Sequence, residues 1–240
     1  MMKFYFFLFF PLTLFSQVVN VENKRQSDAN GLSGTIEFSF DYNDSEQIDW
    51  EFANTSHLQW NNASWSVLLL NEINLDRAGE VDFENDGFQH LRISYHFNKN
   101  FSHETFIQNQ FDPVRKIDNR KLFGSGIRIN LSDGNYFGVS SFYEIENLTN
   151  NIINKDIRLG SYLQLDYKIS ENIYLLSTTY YQPNTRQFTD FKTSNQTQLN
   201  FEFKKGFGFI NTIEMIYDSC PAIGVKTFSY SFQNGVQYNF

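Results

Sequence analysis

The feature that most constrains this fold is an alternation of apolar and polar residues that recurs along the chain and ends at its last residue. In the final fourteen residues, TFSYSFQNGVQYNF, apolar side chains occupy every second position, with Asn234 as the one polar exception. In an extended strand this pattern makes one face apolar and the other polar. The last strand of a transmembrane barrel closes the sheet against the first and presents such residues to lipid. We therefore interpret 227–240 as a closing strand, with Tyr238 and Phe240 as the assembly signal.

The same alternation predicts eleven further strands, most clearly over 32–42 and 158–169. The predicted segments are 32–42, 47–58, 65–75, 88–97, 101–111, 122–131, 136–146, 158–169, 173–182, 191–203 and 207–218. Most have the ten or more residues that a tilted membrane crossing needs, whereas strands of soluble proteins cluster near five or six. The expected fold is all-β: a transmembrane antiparallel up-and-down β-barrel of about twelve strands.

The connections between these segments alternate in length. Short breaks rich in Asn, Asp and Gly, such as 98–100 and 171–172, follow longer ones such as 76–87 and 112–121. Short turns on one side and longer loops on the other are typical of membrane barrels. The alternative is a soluble β-sandwich or lipocalin-like barrel, in which the same alternation is inverted, with apolar residues inside.

The chain begins with features of a secretory signal peptide. Lys3 precedes an apolar run of about a dozen residues, and Ser16 offers a small residue for cleavage. The run is too short to span a bilayer as a helix. The predicted organisation is a signal peptide at 1–16, a polar periplasmic lead-in at 17–31 and an outer-membrane β-barrel at 32–240.

Composition limits the partners of the protein. A mean hydropathy of -0.43 together with 18% aromatic residues fits interleaved lipid-facing and lumen-facing positions. The net charge of -8 leaves no basic stripe for nucleic acid. We expect a monomer in the outer membrane of a Gram-negative cell. Its expected partners are outer-membrane lipid and lipopolysaccharide, together with the barrel-assembly machinery.

The residues offer little catalytic chemistry, and we predict no catalytic residue, cofactor or metal. His90 and His96 share a face but lie six positions apart, too far to bind one metal. An alternative function is an outer-membrane hydrolase acting on lipid or surface substrates. Such an enzyme would need an outward Ser beside a His, and neither Ser141 nor Ser161 is placed clearly beside one.

The inward face is where a function is expected, because it gathers charges of both signs. The predicted lumen-facing charges are Arg92, Glu104, Arg128, Glu144, Arg158 and Asp166. Long side chains of opposite sign should pair across a narrow bore, since an unpaired charge in a poorly hydrated interior costs several kcal/mol. We expect a barrel of structural or narrow-channel type, with its lumen largely filled by these charges.

Four stretches of the chain resemble a known family. They are NVENKRQSDANGLSGTIEFSF at 20–40, LLSTTYYQP at 175–183, DFKTSNQTQLNFEF at 190–203 and the terminal VQYNF. Together they resemble a branch of the salt-induced outer-membrane proteins, a family otherwise designated a domain of unknown function. The resemblance implies an outer-membrane barrel and supplies no catalytic residues.

Overall fold

The computed structural model describes residues 20–25, 30–44, 48–78, 81–203 and 207–238. Within these ranges twelve strands form one antiparallel sheet in sequence order. They are β1 (Gly31–Asp44), β2 (Ile48–Asn61), β3 (Trp65–Ala78), β4 (Val81–His96), β5 (Phe101–Asp112), β6 (Ile117–Ser132), β7 (Asn135–Leu148), β8 (Ile153–Ser170), β9 (Ile173–Pro183), β10 (Phe191–Glu202), β11 (Phe207–Asp218) and β12 (Phe228–Tyr238). Two short 3₁₀ helices, Glu22–Lys24 and Pro113–Arg115, complete the regular structure. No helix in the described ranges is long and apolar enough to cross a membrane.

The predicted all-β architecture of twelve antiparallel strands is confirmed. The strands run further than predicted at the end that carries the longer connections, which we call the loop end. The predicted loop 76–87 is mostly strand, because β3 continues to Ala78 and β4 begins at Val81. Backbone hydrogen bonds hold these two strands together even where their side chains become polar. A prediction based on apolar alternation therefore ends each strand too early.

The outward face of the sheet is apolar. Ile107 on β5 and Phe123 on β6 lie side by side, with 50% and 60% of their surfaces exposed. At the opposite end of the strands, which we call the turn end, exposed aromatic residues surround the short turns. This group contains Trp60, Trp65, Phe97, Phe101, Tyr167, Phe203 and Phe207. An apolar band bordered by an aromatic girdle is what a bilayer requires of a barrel surface.

The inward face encloses the segment before β1. Asn20 donates to Gln196 of β10, and the backbone amide of Glu22 donates to Tyr180 of β9. On the other side, the Glu22 carboxylate accepts from Arg92 of β4. Strands from both halves of the sheet thus contact one short segment, which shows that the sheet curls around it.

This position differs from the periplasmic lead-in predicted for 17–31. Residues 20–25 lie inside the barrel, where only 2% of the Val21 surface is exposed. Their polar sequence suggested solvent, but the interior of the barrel is itself polar and offers charged partners. The predicted signal peptide at 1–16 lies outside the described residues.

The ladders join every consecutive pair of strands from β1 to β12. In the described part of the chain, no ladder joins β12 back to β1, so the predicted pairing of the closing strand is not present there. The backbone of Tyr238 pairs with Phe207 of β11. Phe240, the other predicted assembly residue, lies outside the described residues.

Ile107→Arg tests whether the apolar band contacts lipid. Because Ile107 lies at the middle of β5, we expect a loss of folding free energy of about 2–4 kcal/mol in lipid vesicles. Phe97→Arg, in the girdle at the turn end, is the matched control and should cost about 0–1 kcal/mol. Denaturant titration of both variants measures the difference, and equal costs would contradict a membrane band centred on β5.

Candidate functional site

Two clusters of ionised side chains fill the inner face of the barrel. The turn-end cluster consists of Glu22, Arg25, Arg92, Glu104 and Arg128. The loop-end cluster consists of Arg120, Glu144, Glu146, Arg158, Asp190 and Lys192. Alternation points the strand residues of these clusters inward, and the antiparallel register brings residues of neighbouring strands together. Glu22 and Arg25 come from the segment before β1, and Asp190 from the connection before β10.

The turn-end cluster centres on the Glu22 carboxylate. Its Oε1 accepts from Arg92 Nη1 at 3.1 Å and from Arg25 Nε at 2.9 Å. Its Oε2 accepts from Arg128 Nε at 3.1 Å. Glu104 completes the cluster by accepting from Arg25 Nη2 at 2.5 Å and from Arg92 Nη1 at 3.1 Å. One carboxylate of the inner segment is therefore held by three guanidinium groups.

The electrostatic environment of Glu22 favours its charged form. Burial alone would raise the pKa of this carboxyl, but Arg25 and Arg128 outweigh burial and hold the pKa below its usual range. Glu22 is therefore ionised at neutral pH, and its contacts with the arginines are charge-assisted hydrogen bonds.

Apolar contacts anchor the same segment. Val21 packs in a buried cluster with Leu68 and Leu70 of β3 and Phe88 of β4. Lys24 forms an ion pair with Glu72 of β3, and its Nζ lies 5.5 Å from the centre of the Phe88 ring. The barrel wall thus provides an apolar patch for Val21, a carboxylate for Lys24 and two guanidinium groups for Glu22.

The loop-end cluster centres on Glu144, which has 0% of its surface exposed. Its Oε1 accepts from Arg120 Nε at 2.6 Å and its Oε2 from Arg158 Nε at 2.5 Å. Arg158 also donates to both carboxylate oxygens of Asp190, at 3.0 and 3.1 Å.

Lys192 links two strands of this cluster across the lumen. It donates from β10 to Glu146 Oε1 of β7 at 2.6 Å, and its Nζ lies 3.6 Å from Glu144. The cluster contains three cations, Arg120, Arg158 and Lys192, and three carboxylates, Glu144, Glu146 and Asp190. Its charges balance among themselves.

Aromatic rings separate the two clusters. Phe106 lies 6.2 Å from Phe142 and Tyr162 lies 5.6 Å from Tyr180, measured between ring centres. Room for the Tyr162 ring comes from Gly138, because a Cβ at that position would fall 2.0 Å from the ring.

The cavities reflect this filling. At the turn end a vestibule of about 820 Å³ is lined by polar side chains and reaches Glu22, Arg25 and Arg128. Beyond Glu22, a cavity of about 50 Å³ is bordered by Arg92, Glu104 and the aromatic rings. A wide entrance therefore ends at the turn-end cluster.

The structure places five of the six predicted lumen charges in these clusters. Arg92 pairs with Glu104, and Arg158 pairs with Glu144. Arg128 pairs with Glu22, a residue outside the predicted barrel. The sixth, Asp166, is exposed at the vestibule and forms no ion pair with another described residue.

Four charged residues of the site are not predicted from the sequence: Glu22, Arg25, Arg120 and Asp190, of which Asp190 lies in the connection before β10 and pairs with Arg158. The sequence predicts a loop at 112–121 that includes Arg120, but β6 begins at Ile117 and Arg120 is completely buried. Glu22 and Arg25 were assigned to a segment outside the barrel. The signal that could have found Glu22 and Arg25 is Val21, the one apolar residue among residues 20–25.

Two of the residues considered for metal binding or hydrolysis have other contacts. His90 is buried against Gln108 and Arg92, and Ser161 contacts a backbone oxygen of the neighbouring strand. One outward serine, Ser125, does lie 3.2 Å from His103 Nε2. Neither a carboxylate nor an amide side chain contacts that His within the described ranges, and Ser125 also donates to a backbone oxygen at 3.1 Å.

No cluster of metal ligands is found among the described residues. Groups of three or more His, Cys, Asp or Glu side chains in a binding arrangement do not occur there. The carboxylates of the two clusters are instead paired with Arg and Lys.

An up-and-down barrel with an apolar exterior and an ion-paired interior belongs to the class of transmembrane β-barrel proteins. The family described as "Protein of unknown function, DUF481" matches the chain over residues 36–240. The chain belongs to this family. None of the curated proteins matches it.

Several solved porin structures are similar to the chain. The NanC porin in a rhombohedral crystal form is 11% identical to this chain, with a TM-score of 0.49. The match covers 80% of this chain and 94% of the NanC chain. The KdgM porin in complex with disordered oligogalacturonate is 14% identical, with a TM-score of 0.40. This match covers 84% of the present chain and 98% of the KdgM chain. A second KdgM porin structure is 16% identical, covers 85% and 98%, and has a TM-score of 0.39.

Glu144→Gln tests the loop-end cluster. The substitution keeps the shape of the side chain but leaves Arg120 and Arg158 buried without their shared anion, so we expect a loss of about 3–5 kcal/mol in folding free energy. Asp166→Asn is the matched control and should change stability by less than about 0.5 kcal/mol. Denaturant titration measures both, and a negligible loss in Glu144→Gln would contradict the cluster.

Proposed function

We propose that the protein is an outer-membrane β-barrel of narrow-channel type whose resting lumen is closed. The observation that carries the proposal is the pair of ion clusters, with Glu22 buried among three arginines in one and Glu144 buried between two in the other. These clusters occupy the bore at two levels, and residues 20–25 add a segment of chain within it.

The proposed closure follows from the size of the barrel and the cost of burying charge. Eight strands leave room only for side chains and sixteen or more leave an aqueous channel, so twelve strands lie between these limits. In this intermediate bore, unpaired guanidinium and carboxylate groups would be costly unless water filled the lumen. Pairing removes that cost and fills the bore.

The location rests on the surface of the barrel and on the sequence. The apolar band around Ile107 and Phe123 and the aromatic girdle support insertion in a membrane. The stretches that resemble the salt-induced outer-membrane proteins support the outer membrane and that family identity. In this proposal the signal peptide at 1–16 directs export, and the assembly machinery inserts the protein as a monomer among lipid and lipopolysaccharide.

Planar-bilayer recording tests the closed lumen. We expect wild-type conductance to be well below that of a general porin, because the clusters block the bore. Replacing Arg92, Arg128 and Arg158 together by Ala should raise the conductance several-fold. The variant loses two large side chains and their ion pairs from the turn-end cluster, and one from the loop-end cluster.

The control variant replaces three exposed cations, Lys99, Lys121 and Lys155, by Ala and should conduct as the wild type does. A difference in gel mobility before and after boiling verifies that each protein is folded. A wild-type protein that already passes sugars or large ions freely would refute the closed lumen and favour a transport role.

A further inference from the structure

Glu22 occupies an anion site built into the barrel wall. Arg92 on β4 and Arg128 on β6 converge on its carboxylate from two strands, each at 3.1 Å. Arg92 is buried, and the Arg128 side chain is 14% exposed. Both guanidinium groups also have rings beneath them. Arg92 lies 5.3 Å from the centre of the Phe106 ring and Arg128 lies 3.5 Å from that of Tyr136.

The wall alone does not balance its own charge at this point. Arg92 and Arg128 contribute two positive charges, and the one wall carboxylate in the cluster is Glu104. The inner segment contributes Glu22 and Arg25, one of each sign. The wall residues of the cluster therefore carry one excess positive charge, and the segment does not change this net charge. Without Glu22, however, no carboxylate would lie between Arg92 and Arg128. The loop-end cluster, whose charges balance, has no comparable vacancy.

The anion site is accessible from one side. The vestibule of about 820 Å³ extends from the turn end to Glu22, Arg25 and Arg128. Its other lining groups are mainly amides and hydroxyls, including Gln59, Asn61, Ser66, Asn98 and Ser102. Such a lining suits a small polar solute better than an apolar one.

We propose that Arg92 and Arg128 form a binding site for small polar carboxylates, and that Glu22 fills this site as an internal competitor. A solute carboxylate entering through the vestibule meets Arg128 first and takes the place of the Glu22 side chain. This inference rests on the proposed closed lumen, because the segment that contains Glu22 is part of the closure. Binding and closure are thus alternatives at the same pair of arginines.

Propionate is a suitable probe, because it reproduces the carboxylate and methylene carbons of the Glu22 side chain. Propionamide, of the same shape but uncharged, is its control. Isothermal titration calorimetry on the folded protein in detergent measures binding without requiring conduction. Failure of this inference is therefore distinguishable from failure of the closed lumen, which is tested by conductance.

Glu22→Gln removes the competing charge and retains Arg92 and Arg128. We expect it to bind propionate about tenfold or more tightly than the wild type, since an uncharged amide is held less strongly by the arginines and is displaced more easily. Propionamide should bind to neither protein. Adding Arg128→Met to Glu22→Gln should abolish the gain.

A second variant keeps the test decisive if Glu22→Gln folds poorly. Val21→Asp does not change Glu22 itself. It introduces a charge among Leu68, Leu70 and Phe88, so the whole segment, including Glu22, should leave the lumen. It should also bind propionate more tightly than the wild type. Equal affinity of the wild type and both variants, or equal binding of propionamide, would overturn the proposal.

Discussion

The contact on which the interior most depends is that between the Glu22 carboxylate and three arginines. Arg92 and Arg128 come from strands separated by β5, and Arg25 comes from the same segment as Glu22. Guanidinium groups this close together repel one another unless an anion lies between them. Glu22 supplies that anion, and in doing so it fixes a segment of chain in the bore. The turn-end cluster and the position of residues 20–25 in the bore are therefore one structural feature.

The alternation of the strands makes this arrangement possible. Each strand places apolar side chains towards lipid and polar ones inward, so the membrane requirement on one face supplies charges to the other. A bore of twelve strands lies between the eight that side chains can fill and the sixteen or more that leave an aqueous channel. Within it, long side chains of opposite sign pair, as Arg120 does with Glu144 and Lys192 does with Glu146. The aromatic rings of Phe106, Phe142 and Tyr162 lie between the two clusters.

Much of the architecture was predictable from the sequence because period two is a local property of each strand. The number of strands follows from alternation. The pairs Arg92 with Glu104 and Arg158 with Glu144 join neighbouring strands, whereas the sequence led us to expect pairing across the bore. Arg120 was missed because polar residues obscure the start of β6. Glu22 was missed because its partners lie 70 and 106 positions away in the chain. A segment without alternation has no local pattern that shows whether it lies in solvent or inside a polar barrel.

The rate of thiol labelling at position 21 tests directly whether residues 20–25 lie within the lumen. In a Cys220→Ser background, Val21→Cys introduces a small apolar residue that tolerates burial, and Asn30→Cys provides an exposed control. With a charged maleimide, we expect position 21 to react more slowly than position 30, on the order of a hundredfold, because labelling must wait for the segment to leave its site. Similar labelling rates at the two positions would show that the segment does not lie in the lumen.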